Sequence, residues 1–145
     1  MEVRLRISTD RDELDVAIIH EFLSLHSTWA RGFSRELLER ALAQSLCFGG
    51  FIDRSQVAFA RVVTDYATFA NLVDVFVLPE HRRRGYSKQL IGNVLAHPQL
   101  QGLRRFTLHT ADAHGLYRQF GFASALKPET YMEQYVSDIY VASSR

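Results

Sequence analysis

The sequence predicts a single mixed α/β domain, with helices layered on a sheet. Three observations carry that expectation. The chain has 145 residues, the length of one ordinary domain. Its apolar fraction suits a buried core. Apolar residues recur with period two in some stretches and period 3.6 in others, with no repeat, linker or low-complexity segment between them. Residues 1–145 are therefore read as one domain.

Val3, Leu5 and Ile7 alternate with Arg4 and Arg6, as in a half-buried first strand. Ser8-Thr9-Asp10 offers a helix cap, with Glu13 three residues after Asp10 as in a capping box. Leu14, Ile18, Phe22 and Leu25 then recur at helical spacing, and Trp29-Ala30-Arg31-Gly32-Phe33 breaks the pattern. Ser34 caps a second helix whose buried face would be Leu37, Leu38, Ala41, Leu42 and Leu46. Strands follow at 47–52 and 57–64, joined by a turn at Asp53-Arg54-Ser55. A turn near Asp65-Tyr66 leads into the most apolar strand, 67–78, which Pro79-Glu80-His81 ends. After Gly85 a helix runs through Leu90, Ile91, Val94 and Leu95, bounded by Pro98. Phe106, Leu108 and Thr110 mark a further strand. A short helix over 114–120 ends at Gly121, a good left-handed cap. Residues 131–136 read as a last strand.

Composition excludes several classes. A formal net charge of +1 argues against a general nucleic-acid binder. The lone Cys47, between Leu46 and Phe48, reads as a buried structural thiol and allows no intrachain disulfide. The scattered histidines have no ligand-like spacing, so no metal is expected. The charged amino terminus is unlike a signal peptide, and no apolar run is long enough to span a bilayer. A cytoplasmic protein without a membrane partner is expected.

The sharpest signal is Arg82-Arg83-Arg84-Gly85-Tyr86-Ser87-Lys88, between an apolar strand and a helix. A helix start presents unpaired N–H groups and a positive dipole end. Gly85 lets a ligand approach the backbone, and Ser87 is small. Basic side chains oppose the dipole at such a place unless an anion joins them. The turn therefore reads as a pyrophosphate-sized anion site. It is neither a Walker loop nor a dinucleotide fingerprint, because GxxxxGK[ST] and GxGxxG are both absent.

This segment resembles the signature of the GNAT superfamily of N-acetyltransferases: Arg or Gln, two residues, Gly, one residue, then Gly or Ala. Arg82 and Gly85 match, and Ser87 stands at the last position. Thr110-Ala111-Asp112-Ala113-His114-Gly115-Leu116-Tyr117-Arg118-Gln119-Phe120-Gly121-Phe122 is similar to the family's late motif. Ala113, Tyr117, Gly121 and Phe122 match, and Thr110 replaces the usual Asn. The resemblance covers essentially the whole chain. It implies a mostly antiparallel central sheet flanked by helices, with two splayed parallel strands forming a CoA cleft. It also implies acetyl-CoA as co-substrate, without a metal, and direct transfer of the acetyl group to a primary amine of a small molecule, peptide or protein. The alternative is a catalytically silent acyl-CoA-binding sensor or interaction module.

On this resemblance Val75, Phe76 and Val77 would meet the pantetheine and thioester, with an amide of Phe76 or Val77 polarising the carbonyl. Arg82, Arg83, Arg84, Gly85, Tyr86, Ser87, Lys88, Thr110 and Tyr117 complete the cofactor set. Tyr117, with an ordinary phenol pKa of about 10, is the candidate general acid. Asp74 is a candidate base or amine-binding carboxylate; a buried structural carboxylate fits equally, and His109 is its rival. Trp29, Asp65 and Tyr66 are candidate acceptor-side residues, Trp29 from an exposed aromatic loop. Edge strands near the tail leave room for a homodimer.

Overall fold

The computed structural model describes residues 4–143. Its frame is a five-stranded sheet in the order β1-β2-β3-β4-β5. The strands are β1 (Arg6–Ser8), β2 (Leu46–Ile52), β3 (Ser55–Thr64), β4 (Phe69–Val77) and β5 (Arg105–Leu108). The first four pair antiparallel in chain order, and β4 and β5 pair parallel. The helices are α1 (Val16–Glu21), α2 (Arg35–Ala43), α3 (Tyr86–Ala96), α4 (His114–Arg118) and α5 (Ile139–Ser143). Val3 of the expected first strand lies outside the described residues.

Two cores sit on opposite faces of the sheet. Strand alternation sends Ala58, Ala60 and Val62 of β3 toward Leu90, Ile91 and Val94 of α3. Phe59 of β3 joins Ile19, Phe22, Leu38 and Leu42 of the α1–α2 side instead. The two cores meet β4 out of step. Leu72 belongs to the α3 core, yet Phe76 belongs to the α1–α2 core. Strict period two would keep them on one face. The register explains the change. Phe59 pairs with Phe76 and Arg61 with Val73, so β4 carries one extra residue between those pairs. Asp74 sits in that bulge with φ 57°.

Several sequence expectations shift locally. Asp10 caps only a short 3-10 turn, Arg11–Glu13, by accepting from the Asp12 N–H. Asp15 is the true cap of α1, and Glu13 pairs with Arg6. After α1 the chain widens into a π turn, Phe22–His26. That extra width rotates the face, so Leu23 is buried and Leu25 is exposed. Ser34 caps α2 as expected, through Leu37 N–H. Leu46 begins β2 rather than closing the α2 face.

The last expected strand is absent: residues 131–136 are exposed and join no ladder. Tyr131-Met132-Glu133-Gln134-Tyr135-Val136 lacks period-two alternation, so pairing would bury no consistent face. A 3-10 turn at Pro128–Thr130 precedes it, and α5 follows.

Candidate active site

The parallel pair opens into a slit. Pairing runs from Phe69↔Arg105 to Leu72↔Leu108, where β5 ends. β4 continues to Val77 with no partner on that side among the described residues. Backbone direction there is fixed by the antiparallel ladder. Leu78 N–H donates to Val57 O at 2.8 Å, so Leu78 and Phe76 turn their amides toward β3. Val77 turns its N–H and C=O to the open side. Arg82 Nε reaches Val77 O at 2.9 Å, consistent with that direction. Of the two amides expected at a thioester, Val77 faces the slit and Phe76 does not. The Phe76 ring is instead stacked on Phe22, with centroids 4.1 Å apart.

At the end of β4 the chain makes a 3-10 turn, Pro79–His81, and reaches α3. Gly85 is the N-cap residue of α3, with φ 79°, and among the described residues no side chain caps the helix. A Cβ built on Gly85 meets nothing within 4 Å, so the space beside these N–H groups is open. Arg83 is also left-handed, at φ 65°, which curls the loop. Arg83, Arg84 and Lys88 are exposed and form no ion pair among the described residues. Tyr86 is placed differently. Its ring is buried in the α3 core, so only its backbone borders the loop. Ser87 is half-buried in the first turn.

Tyr117 of α4 is 8% exposed and joins Val77 in the same core cluster. Its ring meets Phe122 edge-on at 5.9 Å. Its hydroxyl makes no hydrogen bond among the described residues, yet it is not sealed from solvent. Burial, helped by Asp112, pushes the phenol above the ordinary tyrosine range. Thr110 Oγ1 accepts from Ala113 N–H at 2.9 Å, so this hydroxyl shapes the start of α4.

On the α1–α2 face, Asp74 is 5% exposed and both carboxylate oxygens are held. Trp29 Nε1 donates to Oδ1 at 2.8 Å. Arg61 Nε donates to Oδ2 at 2.9 Å, while Arg61 Nη1 donates to Ser45 Oγ at 3.1 Å. Trp29 remains 47% exposed, so it covers the bulge and also meets solvent. Arg61 and Ser45 were missed in the sequence. The available signal was one arginine inside the apolar run Val57-Ala58-Phe59-Ala60-Arg61-Val62-Val63, since a charge is seldom buried unpaired.

Asp65 and Tyr66 are not brought to this site. Asp65 accepts from the N–H groups of Ala67, Thr68 and Phe69 and from Thr68 Oγ1. Those bonds hold its carboxyl well below the usual carboxylate range. Tyr66 takes the left-handed position beside it, φ 62°. Their turn precedes Phe69, about 17 Å along the strand from Asp74 at ~3.3 Å per residue. His109 is exposed, its ring 6.0 Å from that of Tyr131. Among the described residues, no group of three His, Cys, Asp or Glu is arranged to hold a metal, and no helix is long and apolar enough to cross a membrane.

Residues 17–122 match the Acetyltransferase (GNAT) family. A proposed acetyltransferase of Gibberella zeae is 33% identical, over 77% of this chain and 74% of that protein. The crystal structure of a proposed GNAT-family acetyltransferase from Xanthomonas campestris pv. campestris superposes with a TM-score of 0.93 at 58% identity, over 94% of this chain and 96% of that one. A GNAT-family acetyltransferase from Elizabethkingia anophelis, solved with acetyl-CoA bound, shares the fold at 13% identity, with a TM-score of 0.63 over 89% and 86% of the two chains. By its sequence match, its relatives and its sheet with one splayed parallel pair, the chain belongs to the GNAT family of acetyltransferases.

Proposed function

We propose that the protein transfers an acetyl group from acetyl-CoA directly to a primary amine. One observation carries this reading: the slit between β4 and β5 is bordered by the Val77 amide and lies near an open, uncapped helix start. The donor fits what these residues offer. Bare N–H groups at α3, with Arg83, Arg84 and Lys88 around them, suit a pyrophosphate. The open edge of β4 suits an extended, amide-bearing arm. Bound there, acetyl-CoA supplies an activated acyl thioester.

The chain's own groups then take defined roles. Val77 N–H stabilises charge developing on the thioester oxygen. The amine nitrogen bonds to the acyl carbon, the carbon–sulfur bond breaks, and the amine releases one proton to solvent. Tyr117 gives its phenolic proton to the departing sulfur and recovers one from water. Its raised pKa keeps that proton in place at neutral pH. Asp74, with two donors on its carboxylate, is a positioning residue that fixes the β4 bulge and Trp29. The test is thiol release from acetyl-CoA over an amine panel, with calorimetry of CoA binding. Turnover by the native chain, with CoA binding lost in Gly85→Glu, is expected. Unchanged CoA affinity in Gly85→Glu would refute the site.

A further inference from the structure

We infer that the acceptor amine carries a carboxylate, held by Arg40 and Arg61 on the α1–α2 face; this rests on the acetyl-transfer reading. A cleft of about 610 Å³ opens there. Arg40, Gln44 and Arg61 supply its polar lining, and Phe33, Leu37 and Tyr140 supply apolar walls. Among the described residues, no Asp or Glu lines it.

The two arginines are unequally occupied. Arg61 spends Nε on Asp74 and Nη1 on Ser45, and its other terminal nitrogen has no partner among the described residues. Its side chain is 14% exposed, so the remaining donors are partly desolvated. Asp74 neutralises that charge from behind. Arg40, in the last turn of α2, is exposed and forms no ion pair among the described residues. The helix C-terminus accounts for a cation at Arg40 but not for the missing acid beside it. Among the described residues the cleft therefore holds one uncompensated charge, the full fork of Arg40 and the remaining terminal donors of Arg61. A carboxylate satisfies both, and a second cation satisfies neither.

Placement links this cleft to the chemistry. Arg61 is one ion pair, 2.9 Å, from the bulged β4 residue Asp74, and Trp29 covers the same carboxylate. The thioester would meet Val77, a few residues along that strand. The inferred acceptor sets its carboxylate on the arginines and directs the amine at its other end toward Trp29 and β4. The Phe33 and Tyr140 rings stack on each other at 4.6 Å and present one apolar surface, which favours an apolar chain between the carboxylate and the amine.

The experiment uses ω-amino acids of increasing length and their primary amides. Binding to the CoA-loaded protein is measured by calorimetry, and turnover by thiol release. The acids are expected to bind at least about tenfold more tightly than the amides at the best length. Arg40→Ala should remove most of that preference without weakening the amides, and Arg40→Lys should retain part of it. Equal binding of acids and amides throughout would overturn the inference, as would a full preference surviving Arg40→Ala. Acid-selective binding without any thiol release would sink the acetyl-transfer reading and leave the carboxylate site standing.

Discussion

Asp74→Ala tests the central joint of the molecule. The change strips Arg61 of its carboxylate and leaves Trp29 Nε1 without its acceptor. Breaking a buried ion pair from one side costs about 3–5 kcal/mol. The side chains here are 14% and 4% exposed, so the lower end applies, about 3 kcal/mol. Alanine must also adopt the left-handed φ of 57°, which adds about 1 kcal/mol. A loss of about 4 kcal/mol follows, or about 10 °C in Tm for a domain of this size. Asp74→Asn keeps an acceptor and tolerates that backbone, so about half the loss is expected. Urea unfolding of the native chain and both variants measures this directly. Adding Arg61→Met to Asp74→Ala should recover stability, because no unpaired charge remains. A native-like midpoint for Asp74→Ala would refute the reasoning. The Asn variant also separates positioning from base catalysis. Its pH–rate profile should keep the acidic limb of the native enzyme at a reduced rate. Disappearance of that limb would return Asp74 to the role of proton acceptor.

Tyr117→Phe should lower turnover about 100-fold with CoA affinity nearly unchanged; equal rates in the two forms would remove Tyr117 from the mechanism. Because burial raises the folded-state pKa of Tyr117, its contribution to stability is full below the unfolded value of about 10 and is lost as pH rises through the folded value. Alkaline unfolding should therefore start later in Tyr117→Phe once the neutral-pH stabilities are matched. Burial pushes the Cys47 thiol up to about 11. The folded protein should react with a disulfide reagent near neutral pH only after denaturant is added, and rapid labelling of the native state would contradict that burial. Asp65→Ala should loosen the β3–β4 turn and lower Tm while KM for the amine stays fixed. A raised KM would put this turn back at the acceptor site.

The sheet was largely legible because its strands carry their own signals. β2, β3 and β4 are apolar runs bounded by turn residues, and their positions agree with the pattern within a few residues. Gly85 and Gly121 also read correctly, since both take a positive φ that other residues resist. The misplaced elements depend on context instead. Leu25 follows the helical period, but the π turn at Phe22–His26 shifts that period and carries no residue signature. Residues 131–136 have β-forming types without alternation, and only alternation gives a strand a face to bury.

The site divides in the same way. The proposed phosphate end is local: a glycine, three arginines and a helix start lie in one segment, so the sequence displays its parts together. The polar network on the α1–α2 face, proposed to border the acceptor, is assembled across the chain from Trp29, Ser45, Arg61 and Asp74. Asp74 in Asn71-Leu72-Val73-Asp74-Val75-Phe76 looked like a base because a lone carboxylate in an apolar strand needs a reason. Arg61 in the neighbouring apolar strand needs one equally. The two reasons are the same, but pairing them requires the register, and the register changes at the bulge. A single extra residue in β4 lets Leu72 seal the α3 core while Phe76 seals the α1–α2 core. It also leaves Asp74 where Trp29 and Arg61 can share its oxygens. The proposed donor end is thus written in adjacent residues, whereas the proposed acceptor end follows from a backbone irregularity that no residue in the strand announces.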